Sequence, residues 1–321
     1  MSEQENFNDR MLSLCLARVS EAAALASSGF VGRGDEESAD KSAVEGMQTA
    51  LNRMDIAGRI VIGEGAEDEV PALYTGQLVG NGNGPEVDIA LDPLEGTTLA
   101  AKDMPNALSV IAMGPRGSMM EAPDLYMDKL AIGPGYPQGL VSLEMSPTER
   151  IAALAQAKGC APDKLTACIL DRPRHEGLIA EIRATGAKVR LISDGDVAGV
   201  IHCAEAAKTG IDIYMGMGGA PEGILAAAAL KCLGGQMQTR LVLRNQDEAT
   251  LARMAGITDP DRIYLQDDMV TGDVVFAATG VTDGALLNGI RREADHISAE
   301  TLLMRSLTGS VRYLSYRKKI R

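Results

Sequence analysis

Asp92-Pro93-Leu94-Glu95-Gly96-Thr97 places two carboxylates, a glycine turn and a hydroxyl within six residues. Such a grouping can hold a divalent metal ion beside a phosphate, because hard oxygen donors suit Mg2+ or Mn2+. It is also what ordinary turn chemistry looks like, since Asp-Pro and Glu-Gly steps are common in polar loops. Glu64 in Gly63-Glu64-Gly65 adds a second carboxylate in a glycine-flanked setting. Two such turns suggest one shared carboxylate cluster.

Both turns need strands to present them. Val87-Asp88-Ile89-Ala90-Leu91 and Ile60-Val61-Ile62 read as strands. Pro93 cannot continue a ladder, which places the motif where the strand ends. In α/β proteins that edge is where ligands bind.

The segment from about Asn8 to Ser28 carries Met11, Leu14, Leu16, Val19 and Ala22 to Ala24 on one broad apolar face and reads as a packing helix stopped by Gly29. A polar loop, Gly32 to Asp40, leads into a second helix with Val44, Met47, Ala50, Leu51 and Met54 at helical spacing. Asp40 lies at or near its start, where an Asp ordinarily caps the helix or meets its dipole. Glu67-Asp68-Glu69 reads as a solvated turn close enough to Glu64 to serve it. Gly80-Asn81-Gly82-Asn83-Gly84 lacks a following Lys and reads as a hairpin-like loop, not a phosphate cradle.

Further strands are expected at 107–113, 129–132, 165–170, 189–192, 211–215, 239–243, 273–277 and 310–316, with helices at 147–157, 175–185, 221–233 and 248–255. The first half is mixed, and strand and helix alternate from Leu165 onward. A boundary near 160–163 follows, giving domains 1–162 and 163–321. In the second half Asp194-Gly195-Asp196 follows Arg190-Leu191-Ile192, again with paired carboxylates at a strand end. Gly218-Gly219-Ala220-Pro221-Glu222-Gly223 opens a helix, with Pro221 suited to its first turn and Glu222 near amides that can receive phosphate oxygens. Each of these acids also has an ordinary reading, as an Asx turn or a first-turn acid.

Composition narrows the function classes. The chain has 321 residues, 45% hydrophobic and 23% charged, enough for one large or two medium domains. Its net charge of -13 and 3% aromatic content, without Trp, argue against nucleic acid, which needs a basic face and stacking rings. An acidic chain can still bind phosphate where metal ions sit on its carboxylates. The five cysteines, Cys15, Cys160, Cys168, Cys203 and Cys232, show no metal-ligand spacing and read as reduced core thiols. The acidic N-terminus without an apolar h-region, and the lack of a long uncharged apolar run, predict a cytoplasmic protein with no membrane partner. The basic Arg317-Lys318-Lys319 reads as a solubilising end.

The ordered motifs resemble the class II fructose-1,6-bisphosphatases, within the lithium-sensitive, metal-dependent sugar and inositol phosphatase superfamily. The resemblance runs through nearly the whole chain. It rests on Gly32-Arg33-Gly34-Asp35, Ala39-Asp40, Ile62-Gly63-Glu64-Gly65, Asp92 to Thr97, Ala122-Pro123-Asp124-Leu125-Tyr126-Met127, Arg172-Pro173-Arg174-His175, Asp194-Gly195-Asp196 and Gly218 to Gly223. It implies a mixed α/β fold, a layered α-β-α-β-α sandwich with the active site at strand ends between two domains. It also implies that Asp40, Glu64, Asp92, Glu95 and Glu222 hold Mn2+ or Mg2+, which replaces the capping role expected for Asp40.

By the same resemblance, Asp68 and Thr97 deprotonate and orient the attacking water, and Glu95, Gly96 and Thr97 meet the reacting phosphate. Tyr126, Arg172, Arg174, Asp194, Asp196 and Gly219 contact the sugar or its second phosphate. The implied reaction removes the 1-phosphate of fructose 1,6-bisphosphate in gluconeogenesis, with sedoheptulose 1,7-bisphosphate as a further substrate. A homodimer or homotetramer is the implied assembly. Inositol or other sugar-phosphate hydrolysis and non-catalytic sugar-phosphate sensing are the alternatives. The second inositol-monophosphatase motif begins Trp-Asp and cannot exist in a chain without Trp, whereas a sensor is expected to have lost a reacting group that this chain keeps. Many family members carry Lys where this chain has Glu36. His175, beside two arginines, is expected to be neutral and structural.

Overall fold

The computed structural model describes residues 9–320. It divides into two compact units, the described part of Met1–Met120 with Val270–Arg321, and Glu121–Met269. The expected boundary at 160–163 therefore lies inside the second unit. The reason is strand pairing: β5 (Tyr126–Ile132) pairs with β8 (Ile213–Gly219) and β9 (Gln236–Val242), while β11 (Val275–Gly280) returns to pair with β4 (Leu108–Pro115).

The first unit holds a mixed sheet in the order β12 (Arg291–Arg292), β13 (His296–Arg305), β11, β4, β3 (Glu86–Glu95), β1 (Ala57–Ile62), β2 (Leu78–Val79), with β14 (Ser310–Lys319) on β13. The helices α1 (Asp9–Ser27) and α2 (Glu36–Leu51) form a second layer, and α3 (Thr97–Ala101) follows β3. Leu16, Val19, Met47 and Leu51 from the helices join Ile89, Leu91, Ile111, Met113 and Val275 from the strands in one core. Residues 11–30 reach the length and apolarity of a membrane span, with a mean hydropathy of 1.2. Burial of Leu16, Val19, Ala23 and Ala24 in this core accounts for that apolarity.

Three local expectations change. Asp35, not Asp40, caps α2, its Oδ1 accepting from Ser38 N at 3.0 Å, so Asp40 falls beyond the first turn. Pro93 does not end its strand: β3 continues to Glu95 through a register shift between Asp92 and Glu95, a bulge that tolerates a residue without an N–H. The Gly80–Gly84 segment is no hairpin loop, because it leads from β2 to β3 and these strands are separated by β1.

The second unit has three layers. Its sheet runs β10 (Tyr264–Leu265), β9, β5, β8, β6 (Thr166–Leu170), β7 (Lys188–Ile192). The helices α4 (Pro147–Lys158) and α5 (Glu176–Ala184) cover the face that presents Leu130, Ile132, Ile169 and Ile213. Alternation along β5 puts Lys129 on the opposite face, against which α6 (Asp196–Ala204) and α8 (Ala220–Leu233) pack. Short α7 (Ala206–Thr209) and α10 (Gln266–Met269), and the longer α9 (Gln246–Met254), complete the unit. Each unit is mixed α/β, the fold class expected. All five cysteines are free, and burial pushes the Cys168 thiol up to about 12.

Candidate active site

In the first unit β1 and β3 run parallel, with Ile62 opposite Ala90. Two residues further along each strand stand Glu64 and Asp92, so the topology delivers both carboxylates to the same sheet edge. Asp92 Oδ1 accepts from Leu94 N at 3.0 Å, bracing the bulge that leads to buried Glu95. Gly96 then adopts φ 83°, the left-handed region, and a Cβ there would lie 2.8 Å from Leu99 Cδ1. This turn starts α3 at Thr97, whose hydroxyl donates to Leu94 O at 3.1 Å.

The loop before α2 is tied to the same place. Gly32 N and Gly34 N donate to Ala100 O and Ala101 O at 3.0 and 2.8 Å. These bonds hold the start of α2 against α3, and burial pushes the Asp40 carboxyl above its ordinary range. Glu64 is half-buried, with its own N–H bonded to Leu73 O at 3.0 Å, and Asp68 is exposed in the turn that follows. Among the described residues, no three His, Cys, Asp or Glu side chains converge as a ready-made metal cage.

The edge of the second unit gathers the other expected residues. Because β5 is antiparallel to both β8 and β9, and β6 is parallel to β7 and β8, the C-terminal ends of β6, β7, β8 and β9 share an edge with the start of β5. Arg172 and Arg174 follow β6, Asp194 and Asp196 follow β7, Gly219 ends β8 with Glu222 just beyond it, and Tyr126 opens β5. Arg172 donates to Ser193 O at 2.5 Å and lies 3.9 Å from Asp194 Oδ1. Arg174 donates to Met217 O at 2.8 Å and stands over the Tyr126 ring, 5.0 Å from its centre.

His175 is the hinge pin of this edge. Its Nδ1 lies 2.8 Å from Leu170 O and must donate there, while Nε2 accepts from Met217 N at 2.8 Å. One neutral tautomer satisfies both contacts, and burial lowers the ring's pKa. The structural role expected for this histidine is what the geometry gives it.

Glu222 sits in the first turn of α8, behind a Gly219 N-cap and Pro221. Burial raises its pKa, opposed by the Lys129 ammonium, and its Oε2 is cut off from solvent with no hydrogen-bond partner. A buried carboxylate oxygen without a donor is a natural seat for a cation. Within the first unit the expected ligands Asp40, Glu64, Asp92 and Glu95 are all oxygen donors, the class that suits a hard divalent cation.

Two residues escaped sequence reading. Arg244, just past β9, places its guanidinium 4.5 Å from the centre of the Tyr126 ring and pairs with Glu248 at 2.5 Å. Lys129 is buried in β5 and bonds Asp196 at 2.6 Å. Asp196 itself is 5% exposed, held by the lysine at the strand edge with only a small part of its surface open to solvent. A lysine leading straight into the apolar Leu130-Ala131-Ile132 was the available signal for Lys129; Arg244 had none beyond its place at a strand end.

The family described as "Bacterial fructose-1,6-bisphosphatase, glpX-encoded" matches residues 10–318. The chain belongs to this family. Relatives named "D-fructose 1,6-bisphosphatase class 2/sedoheptulose 1,7-bisphosphatase" include one from Synechococcus sp. (strain CC9311), 44% identical over 316 residues and 94% of each chain. Another family relative, from Prochlorococcus marinus (strain MIT 9303), is 44% identical over 319 residues and 95% of each chain. A solved inositol monophosphatase from Anabaena (Nostoc) sp. PCC 7120 aligns with 79% of this chain and 98% of its own at a TM-score of 0.38 and 14% identity, too low to carry an argument.

Proposed function

We propose that the protein hydrolyses the 1-phosphate of fructose 1,6-bisphosphate to fructose 6-phosphate and phosphate, and accepts sedoheptulose 1,7-bisphosphate as well. The observation that carries this reading is family identity of 44% over 94% of the chain, in which relatives bear those two activities in their names. The Asp92 to Thr97 bulge and turn, at the edge shared with Glu64, supply the matching chemistry.

Mn2+ or Mg2+ on Asp40, Glu64, Asp92, Glu95 and Glu222 would neutralise the attacking and leaving oxygens of an in-line displacement. Around it the chain's own groups have distinct tasks. Asp68, on an exposed turn beyond Glu64, accepts the proton of the attacking water. The Thr97 hydroxyl orients that water, and Gly96, with no Cβ, lets the backbone approach the reacting phosphate. Arg172 and Arg174 offer forked donors to the second phosphate, and Tyr126, Asp194, Asp196 and Gly219 meet the sugar. A cytoplasmic homodimer or homotetramer serving gluconeogenesis is part of this proposal, supported by five cysteines that form no disulfide and by the resemblance of the motifs.

The test is phosphate release with Mn2+ or Mg2+ from fructose 1,6-bisphosphate, sedoheptulose 1,7-bisphosphate and inositol 1-phosphate side by side. The two bisphosphates should be hydrolysed in preference to the inositol ester. An intact, metal-loaded protein that binds fructose 1,6-bisphosphate without releasing phosphate would instead be a sensor.

A further inference from the structure

A fully buried lysine stands behind the acidic turn at the strand edge of the second unit. Lys129 lies mid-strand in β5, between buried Leu130 and the Met127 and Ala131 positions of its own face, and its side chain has no exposure. Its Nζ donates to Asp196 Oδ2 at 2.6 Å. Lysine is rarely kept in such a place without a fixed anionic partner, because breaking a buried pair leaves an uncompensated charge.

The surroundings are shaped to fit this pair. A Cβ on Gly218 would lie 1.9 Å from Asp196 Oδ2 and 3.1 Å from Lys129 Nζ. A Cβ on Gly223 would lie 3.5 Å from Lys129 Cε. The Tyr214 hydroxyl stands 3.5 Å from the same Asp196 oxygen. Gly195, at φ 80°, turns the chain so that Asp196 opens α6 over the lysine. Two strands thus converge on one carboxylate oxygen of α6, β5 through Lys129 and β8 through Tyr214 and Gly218, while the start of α8 packs along the lysine stem.

We propose that Lys129 is a positioning residue for sugar recognition, fixing the Asp196 carboxylate so that an acceptor for a sugar hydroxyl is preformed before substrate arrives. The inference rests on the sugar-hydroxyl role proposed for Asp196. A carboxylate held by a buried ammonium loses its rotational freedom in the free protein, so binding a hydroxyl no longer has to restrict it. Lys129 acts through Asp196 and touches no reacting atom.

Lys129→Met, Asp196→Asn and the double variant, each as the full chain with Mn2+, test the assignment. The readouts are KM and kcat for fructose 1,6-bisphosphate, calorimetric binding of fructose 6-phosphate, and the thermal midpoint. Lys129→Met should raise KM and weaken fructose 6-phosphate binding about tenfold or more, the scale of losing a well-placed hydrogen bond to a charged group, with a smaller change in kcat. The double variant should bind fructose 6-phosphate as Asp196→Asn does, because the lysine's hydrogen bond is to Asp196; an effect carried by the charge of Lys129 on Glu222 would instead make the double variant weaker than the single one.

Should Lys129→Met fail to fold, the double variant removes both buried charges together and the comparison with Asp196→Asn stands. Unchanged KM and binding in a folded Lys129→Met overturns the assignment. So does wild-type affinity in Asp196→Asn, or a double variant clearly weaker than that single one. Wild-type protein that neither hydrolyses the bisphosphate nor binds fructose 6-phosphate overturns the functional reading instead.

Discussion

Acid should destabilise this protein partly through one imidazole. His202 lies in α6, is 3% exposed, and neither ring nitrogen has a hydrogen-bond partner. Burial, with Arg190 and Lys208 adding to it, drives its pKa from 6.5 down to about 4. The unfolded chain therefore takes up the proton first, so the unfolded state gains as pH falls through 6.5, and the loss is complete only below the folded value. From about pH 7 to about pH 5 this one group should cost about 2 kcal/mol of stability, approaching about 3 kcal/mol at lower pH.

His202→Leu removes the titration and keeps an apolar side chain in a helix interior. Urea unfolding of both proteins at several pH values across that window reads the difference directly. The wild type should lose stability relative to the variant by the amount above as pH falls, with little divergence above pH 7. Parallel pH dependence of the two proteins would refute the reasoning, and would mean that the ring is protonated or solvated in the folded state.

Asp92→Asn should lower phosphate release from fructose 1,6-bisphosphate by about 100-fold or more and weaken Mn2+ binding, followed by spin resonance of free Mn2+, because an amide is a poorer ligand for a hard cation. Gly218→Ala should cost about 1–3 kcal/mol by overpacking, since the added Cβ lands on the Asp196 oxygen, and differential scanning calorimetry will show it as a lowered Tm. Glu222→Ala should greatly reduce metal-dependent turnover while the protein stays folded, and unchanged turnover would remove Glu222 from the ligand set.

Much of the framework was written in local pattern. Helix α4 carries its own stop and start signals, Ser146 and Glu149 forming a capping box and Gly159 closing the C-terminus at φ 65°. Strands β6 and β8 are apolar runs of the kind that parallel pairing demands. What local pattern could not disclose was pairing between distant segments. β13 was missed because its polar and apolar residues do not alternate cleanly, and its place is set by β11 and β14 on either side. The boundary expected at 160–163 failed for a related reason: β5 precedes the alternating half in sequence but is stitched into its sheet by β8 and β9.

The site followed the same division. Asp92, Glu95, Gly96 and Thr97 were legible because one short motif carries them, and the register of β1 against β3 brought Glu64 to their edge. Asp40 looked like a cap until Asp35 proved to hold that position. Lys129 and Arg244 gain their meaning only from Asp196 and Tyr126, residues far away in sequence, so spacing could not single them out.

Phosphorus NMR of fructose 1,6-bisphosphate incubated with the protein and Mg2+ tests the central claim most directly. The account predicts that the 1-phosphate signal disappears as inorganic phosphate grows, while the 6-phosphate signal remains as fructose 6-phosphate. Loss of the 6-phosphate, or a spectrum unchanged with folded and metal-loaded protein, would contradict it.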